Sequence, residues 1–326
     1  MRKAIIIVGL LALVLLVLAL QLRDRDRIAD FDSQPLLNEE QLASLAGAEQ
    51  IRLQRDEQVI TLVRDDGNWT VAEHDNFPIF RERLAALLHA IRGARRQDPQ
   101  TDNPEHHARL GVDDEAAATA DSFRVDVSGS AGEFGIIYGN GVGNGQLIRF
   151  AGEDQVWLIN RALGISMNSA DWLDLQVAEL PMTFAKEAEW RHADGEVLQL
   201  NKREQGEYNF RLDGLADEAQ SGNERWMNQM VLGLISLSAQ DVRLRTDLEL
   251  DEPMLNMSVS TWGGAELEAS LYDLNGRYWL LVDRFQPSDN EEIHVNHDPR
   301  WAFQLGLGQV ERLNKRRDDI VRNSQD

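Results

Sequence analysis

Two histidine clusters have a spacing that a metal site could use. His294 and His297 stand three residues apart, so a helix would place both imidazoles on one face. Pro299 follows closely and apolar residues alternate with polar ones around His294, which favours an extended loop instead. The adjacent pair His106–His107 would point to opposite sides of a strand. We therefore predict no metal ion, and no motif indicates another cofactor.

A glycine-rich segment, Gly139–Gly145, resembles the loop with which nucleotide-binding proteins hold phosphate. Such a loop leads from a strand into a helix whose N–H groups face the phosphate. Here a predicted strand, Gln146–Phe150, follows, and the segment contains no lysine. Glycine and asparagine tolerate the positive φ angles of tight turns, so the segment predicts a hairpin connection.

The residue types for covalent catalysis are missing or are not arranged for it. The chain has no cysteine, which excludes a thiolate nucleophile, a disulfide, an iron–sulfur cluster and a thiolate zinc site. It has no Gly-x-Ser-x-Gly motif. Acidic pairs such as Asp113–Asp114 and Glu291–Glu292 are interpreted as solvated surface. No catalytic residue is assigned, and the chain is predicted not to be an enzyme.

The longest apolar run, Ala4–Leu22, has Gln21 as its single polar member. At about 1.5 Å per residue, a helix of this length comes close to the ~30 Å hydrocarbon core of a bilayer. Arg2 and Lys3 precede the run and no small-residue cleavage site follows it, so a retained signal anchor is predicted rather than a cleaved signal peptide. Because arginines also follow the run, charge alone does not fix its orientation.

The chain is strongly acidic. It contains 33 Lys and Arg against 55 Asp and Glu, a formal net charge of −22. Such a surface is repelled by nucleic acid and by anionic lipid, so nucleic acid is not predicted as a partner. Past the anchor, the length suffices for one large or two ordinary domains with real cores.

After residue 34, the same order of predicted elements occurs twice. Each copy opens with short strands that alternate apolar and polar residues around a glycine-containing turn. These strands are Ile51–Gln54, Val59–Arg64 and Trp69–Val71 in the first copy, and Ala188–Trp190, Val197–Lys202 and Tyr208–Phe210 in the second. A duplicated unit is therefore expected.

A helix with one apolar stripe follows in each copy, and Asn223 is the predicted N-cap of the second helix. The stripes are Phe80, Leu84, Leu88 and Ile91, and Trp226, Met230, Leu234 and Leu237. Further strands close each copy: Phe123–Val127, Phe134–Tyr138, Gln146–Phe150 and Val156–Ile159, then Leu255–Ser260, Glu266–Tyr272 and Tyr278–Leu281. A last helix is expected over Trp301–Val321.

The predicted fold class is α+β: an N-terminal transmembrane helix, then two repeated units of mostly antiparallel sheet with a packed helix. The predicted divisions are 1–34 for anchor and stalk, 35–165 and 166–286 for the two repeats, and 287–326 for a C-terminal extension with a helix. Most tryptophans occupy predicted core positions. Trp172 and Trp262 lie near connections and are the candidate contacts for a partner.

Several motifs together resemble a known bacterial family. They are a strand–strand–Gly–Trp unit at 59–71, a Leu-rich helix at 84–91, Leu110–Gly111, a Gly-rich segment leading to a Val-Trp-Leu strand at 139–159, and Trp172–Leu173. This pattern is similar to the domain of unknown function DUF4340 over residues 35–285. Leu147–Arg149 stands where the family usually has tyrosine-valine-arginine. The resemblance implies internally duplicated units and, for some members, association with gliding-motility-type ABC transporters.

These features together predict a non-enzymatic accessory or scaffold protein of an envelope complex, such as an ABC-type transporter. The resemblance places it in the bacterial inner membrane, with a single membrane span and its soluble part in the periplasm. Two alternatives stay open. A periplasmic module for a glycan or small ligand would need an exposed aromatic cleft, and a hydrolase with an unrecognised carboxylate site would need clustered, buried carboxylates.

Overall fold

The computed structural model describes residues 33–114, 122–216 and 223–322. The predicted anchor, Ala4–Leu22, lies outside these ranges, as does most of the predicted stalk. Within the described ranges, no helix has both the length and the apolarity needed to cross a bilayer.

Strands dominate all three described ranges. The first contains β1 (Gln34–Pro35), α1 (Glu39–Ala46), β2 (Ala48–Arg55), β3 (Gln58–Asp65), β4 (Asn68–Val71), β5 (Phe77–Pro78), α2 (Arg81–Gly93), β6 (Arg95–Pro99) and α3 (His107–Leu110). The second contains β7 (Phe123–Gly129), β8 (Gly132–Val142), β9 (Gly145–Phe150), β10 (Val156–Ile159), β11 (Gln176–Glu179), β12 (Ala185–His192), β13 (Val197–Asn201) and β14 (Arg211–Leu212).

The third range contains α4 (Glu224–Ile235), β15 (Ser236–Ser238), β16 (Asp241–Leu244), β17 (Leu255–Thr261), β18 (Glu266–Leu274), β19 (Arg277–Gln286), β20 (His294–Val295), β21 (Trp301–Leu305), α5 (Leu307–Leu313) and α6 (Arg317–Arg322). Short 3-10 turns cover Ala72–His74, Pro104–His106, Ser169–Trp172 and Arg245–Asp247. Mostly antiparallel sheets with a few helices confirm the predicted α+β class.

The chain divides into two compact units. Within the described ranges, the first unit comprises residues 33–69 and 81–167, and the second comprises 70–80 and 168–322. Strand β21, in the predicted C-terminal extension, is an interior strand of the second unit's large sheet.

The large sheets of the two units share one strand order. The first runs β4-β3-β2-β7-β8-β9-β10-β6, with β5 added beyond β4 and β1 added beyond β6. The second runs β14-β13-β12-β17-β18-β19-β21-β16. In both, the main helix (α2 or α4) comes after three successive strands of the shared order along the chain, β2, β3 and β4 or β12, β13 and β14. A separate three-stranded sheet, β15-β11-β20, belongs to the second unit.

The two main helices largely follow the predicted stripes. In α2, Leu84 and Ile91 are buried, but Leu87 rather than Leu88 completes the stripe, and Phe80 is exposed before the helix begins. In α4, the buried residues include Met230 and Leu234. Leu237 is buried in β15, because the helix ends at Ile235. Asn223 stands at the N-cap, but its side chain makes no capping hydrogen bond.

The helix predicted over Trp301–Val321 is wrong in its first part. Trp301, Phe303 and Leu305 alternate with Ala302 and Gln304, the period of a strand, and β21 pairs with both β19 and β16. Helices α5 and α6 follow only after this strand ends.

The glycine-rich segment forms a hairpin, as predicted. Strand β8 ends at Val142, β9 begins at Gly145, and the two strands pair antiparallel. Gly143 has a φ angle of 61° in the turn between them. The backbone therefore runs from strand to strand here, without the helix N-terminus that would face a phosphate.

Candidate functional site

Two strands of the second sheet carry glutamates two residues apart. They are Glu187 and Glu189 in β12, and Glu266 and Glu268 in β18. Because side chains alternate between the faces of a strand, each pair lies on one face. Strand β17 separates the pairs and presents serines between them in register. We call this surface the acidic face: Glu187, Glu189, Gln199, Asn201, Ser258, Ser260, Glu266 and Glu268.

The acidic face is concave. A depression of about 570 Å³ lies over it, and all eight of its residues line the depression. The short side chains of Ser258 and Ser260 form the middle, while the two rows of glutamates stand two strand spacings apart, about 10 Å. The shape is thus a shallow trough whose sides carry negative charge.

Each glutamate of this face has a cation within ion-pair distance. The pairs are Lys186–Glu187 at 2.8 Å, Arg191–Glu189 at 2.7 Å, and Arg284 with both Glu266 and Glu268 at 3.1 Å. The side chains involved are 32–57% exposed. Exposed pairs of this kind contribute about 0–1 kcal/mol, so the cations of a partner could replace them at little cost.

A carboxylate that is bonded to a serine hydroxyl stands at one end of the acidic face. Asp283 lies in a shallower depression of about 250 Å³ that Glu189, Ser258 and Glu268 also line. The hydroxyl of Ser270 donates to Asp283 Oδ2 at 2.5 Å. Burial raises the pKa of Asp283, and this hydrogen bond opposes the shift. Asp283 therefore holds a proton more readily than an aspartate with the ordinary pKa.

A buried lysine stands at the other end. Lys202 follows β13 and lines the larger depression, yet only 4% of the residue is exposed. Its ammonium donates to the carbonyl oxygen of Met182 and lies 4.7 Å from the ring centroid of Phe210. Burial lowers the pKa of Lys202 to about 8, against an opposing effect of Glu207. The charge of Lys202 is thus directed into the protein rather than towards the acidic face.

The two candidate tryptophans differ in exposure. Trp172 is buried, with an exposed fraction of 2%, so the sequence-based expectation of an exposed ring is wrong for it. Its place in the 3-10 turn Ser169–Trp172, beside the Ile79–Leu173 bridge, turns the ring inwards. Trp262 is half-exposed directly after β17, and Lys186 Nζ lies 5.7 Å from its ring centroid. Only Trp262 of the two adjoins the acidic face, and its role as a partner contact stays a prediction.

The first sheet has a counterpart face at the equivalent register positions. Counted from the hairpin turns, Gln50 and Arg52 stand where the second sheet has Glu187 and Glu189. Likewise, Glu133 and Gly135 stand where it has Glu266 and Glu268. We call the counterpart face the set Gln50, Arg52, Thr61, Val63, Asp126, Ser128, Glu133 and Gly135.

An ion pair occupies the part of the counterpart face around Gly135. Arg124 Nε lies 2.8 Å from Asp126 Oδ1, and the pair packs over Gly135. A Cβ at position 135 would come within 2.5 Å of that carboxylate oxygen. The side chains of the first sheet itself thus occupy the space that stays open in the second.

The far end of each polar face is covered by a small second core. In the first sheet, Val112 lies on Ile137, Leu147 and Val156. In the second, Leu248 and Leu250 lie on a cluster that includes Trp279 and Leu281. The segment after the main helix supplies the cover in both units. This cover does not extend to the half of each sheet around β2, β3 and β7, or β12, β13 and β17.

The histidines and the aspartate that the sequence offered for metal binding or catalysis form hydrogen bonds or ion pairs with nearby residues. His107 begins α3, and its Nε2 lies 2.9 Å from the Asp154 carbonyl oxygen. His297 Nδ1 lies 3.0 Å from the carbonyl oxygen of Val295. Asp114 pairs with the buried Arg149 at 2.8 Å. In the part of the chain that the structure describes, no group of three His, Asp or Glu side chains is placed to hold a metal.

Residues 69–253 match the model of a protein family described as a domain of unknown function, DUF4340. The chain belongs to the DUF4340 family. The resemblance seen in the sequence is confirmed over this span, which runs from β4 to the segment before β17. The DUF4340 match therefore contains the β12–β13 half of the acidic face, and β17 and β18 follow it. No curated protein and no solved structure matches the chain.

Proposed function

We propose that this DUF4340 protein is a non-enzymatic accessory or scaffold protein that binds a protein partner through the acidic face. The observation that carries the proposal is the open trough on the second sheet, with two rows of glutamates and only weak, exposed ion pairs. A Lys- or Arg-rich segment of a partner would fit between the rows and exchange with the internal cations. The partner is accordingly a protein with a basic segment.

The location of this binding is proposed from the sequence. The apolar run Ala4–Leu22 supports a single-pass anchor in the bacterial inner membrane, with the two units in the periplasm. Tethering would hold the acidic face at a high effective concentration beside a membrane partner. The family resemblance supports an inner-membrane complex, such as an ABC-type transporter, as that partner.

We also propose that the two units arose by duplication. Their shared strand order, with the main helix at the same place, supports this origin. In that case the acidic face is the surface on which the second copy differs from the first, so the binding function belongs to the second copy.

A crosslinking experiment with matched variants tests the proposal. The full-length protein is crosslinked in its native membrane and purified by affinity, alongside the variants Glu266→Lys and Glu133→Lys. The two variants make the same charge change at equivalent positions of the two sheets. Recovery of an inner-membrane protein by the wild type and by Glu133→Lys, but not by Glu266→Lys, is expected. Equal recovery by both variants, or no inner-membrane protein above background, would refute the proposal.

A further inference from the structure

Residues 315–322, which we call the arm, are held by ion pairs at the turn between β12 and β13. The Arg316 guanidinium lies 2.5 Å from Asp194 and 2.9 Å from Glu196. The backbone N–H of Arg317 donates to Glu196 at 3.0 Å, and the Arg317 side chain donates to the carbonyl oxygen of Gly214 at 2.9 Å. Polar contacts with the β12–β13 turn and with Gly214 therefore hold the start of the arm.

A histidine lies under these contacts. His192, the last residue of β12, has an exposed fraction of 2%. Its Nε2 lies 3.1 Å from the carbonyl oxygen of Lys315, the first residue of the arm. A carbonyl only accepts, so Nε2 carries the proton of the neutral ring. Nδ1 is buried, and no described residue forms a hydrogen bond with it.

The groups that face His192 discourage a second proton on the ring. Burial lowers the pKa of His192 most, and the nearby charge of Arg316 lowers it further. The hydrogen bond to Lys315 and the charges of Glu196 and Asp194 act in the opposite direction without reversing the shift. Both carboxylates already bind Arg316, so neither forms a hydrogen bond with Nδ1.

We propose that His192 is an acid-sensitive latch for the arm. While the ring is neutral, it donates to Lys315 and the arm stays docked. A proton taken up at Nδ1 would place a second cation beside Arg316, with its new N–H group buried and unpaired, and this favours release of the arm. The latch is independent of the acidic face and of the function proposed for it.

The direction of the pH effect follows from linkage. A released His192 would have the ordinary histidine pKa of about 6.5, above its value in the docked state. The released state therefore binds more protons, and docking weakens as the pH falls below about 6.5. Asp194 and Glu196 behave differently. Their pKa values are lowered in the docked state, so they weaken docking only near and below about pH 4.

Release would uncover apolar surface. Ile320 in α6 is fully buried in the docked state, and Lys315 Nζ lies 5.6 Å from the ring centroid of Trp226. Both Ile320 and one side of Trp226 would become accessible when the arm leaves. The latch thus converts mild acidification into exposure of a small hydrophobic surface on the second unit.

Hydrogen–deuterium exchange of the full-length protein in detergent tests the latch. Uptake in residues 315–322 is measured at pH 7.5 and pH 5.5, corrected for the intrinsic pH dependence of exchange, with residues 266–274 of β18 as the internal reference. We expect protection of the arm at pH 7.5 and a several-fold faster corrected exchange at pH 5.5, up to the limit of about tenfold that one group with a released-state pKa of about 6.5 allows, with no change in β18. An arm equally protected at both pH values would overturn the proposal.

Two variants assign the effect to the imidazole. His192→Gln and His192→Asn keep an N–H donor for Lys315 but do not titrate, so the arm should stay protected at both pH values. Acid release that persists in a variant whose arm is protected at pH 7.5 would overturn the proposal. If the arm is unprotected at pH 7.5 in both variants, an NMR titration of the His192 ring in the wild-type protein tests the latch instead. A His192 that titrates at or above 6.5 contradicts the latch, and one that titrates below 6.5 supports it.

Discussion

The polar faces of the two sheets share a strand order but differ in charge and in shape. On the first sheet, Arg52 and Gly135 occupy the positions that Glu189 and Glu268 occupy on the second. The Arg124–Asp126 pair occupies the part of the first face around Gly135, whereas a trough of about 570 Å³ stays open on the second. The same strand order can therefore present either a surface occupied by its own side chains or an open acidic surface, and a few side chains determine which.

The covered ends of the two sheets differ in a second way. Arg149 and Leu281 occupy equivalent positions, paired with Ile137 and Ser270. Leu281 belongs to an apolar cluster, whereas Arg149 is a buried cation that donates to the carbonyl oxygen of Val112 at 2.7 Å. The segment that covers the first sheet is therefore held by one charged side chain, Arg149. The segment that covers the second sheet is held by apolar packing.

The largest effect is expected for Arg149→Met. The change leaves the carbonyl oxygens of Val112 and Glu153 without their donor, at a cost of about 1–3 kcal/mol for each, whereas the exposed Asp114 loses its ion pair at little cost. Arg124→Met is the control, because it removes a partly exposed pair and should cost about 0–1 kcal/mol. Urea denaturation of the full-length protein in detergent measures both. Similar losses in the two variants would contradict this account of the cover.

A smaller loss of stability is expected for Gly135→Ala. The new Cβ would come within 2.5 Å of Asp126 Oδ1 and 3.0 Å of Ala151 Cβ, so the Arg124–Asp126 pair must move, at a cost of about 1 kcal/mol. The equivalent change, Glu268→Ala, creates no such overlap and should stay within about 0.5 kcal/mol. A thermal melt of each variant distinguishes them. A harmless Gly135→Ala would show that the first face is not filled in the way described.

A charge reversal should weaken partner binding when it is made on the acidic face, but not when it is made on the counterpart face. Glu189→Arg gives the second face the residue type of the first, and it should weaken binding of the crosslinked partner about tenfold, or about 1.4 kcal/mol. Arg52→Glu makes the reverse change and should leave affinity unaltered. Affinity is measured by titration at two salt concentrations. Equal effects of the two substitutions would break the proposed distinction between the faces.

The smallest effect is expected for Asp283→Asn. Because burial raises the pKa of Asp283 in the folded protein, the folded state binds the extra proton more readily and loses stability as the pH rises through this range. The asparagine side chain of the variant does not titrate, so the variant should gain stability over the wild type at about pH 7 and lose that advantage near pH 3.5. Melting temperatures at the two pH values provide the measurement. If the variant melts at a higher temperature than the wild type by the same amount at both pH values, the pKa of Asp283 is not raised in the folded protein.

Much of the fold was predictable because its signals are local. Alternating residues identified most strands of both large sheets, and the glycine-rich hairpin followed from the backbone freedom of its residues. Strand β21 was missed because Trp301–Leu305 is short and leads directly into helical sequence, so the 3.6-residue period of α5 dominated the interpretation. The signal for a strand was the alternation of Trp301, Phe303 and Leu305.

The acidic face was only partly visible in the sequence. Its signal is Glu-x-Glu, at Glu187–Glu189 and again at Glu266–Glu268, because this spacing places both carboxylates on one side of a strand. Two facts could not be predicted from the sequence. Strand β17 brings the two glutamate pairs together, and Gly135 lies beneath the Arg124–Asp126 ion pair. Both depend on which strands are neighbours, which local patterns do not specify.

The most direct test of the central claim is photo-crosslinking in the native membrane from equivalent positions of the two faces. A photoreactive amino acid replaces Gln199 in the acidic face or Thr61 in the counterpart face. The account predicts one discrete adduct with an inner-membrane protein from position 199, mapped to a basic segment, and none from position 61. No adduct from position 199, or the same adduct from both, would contradict it.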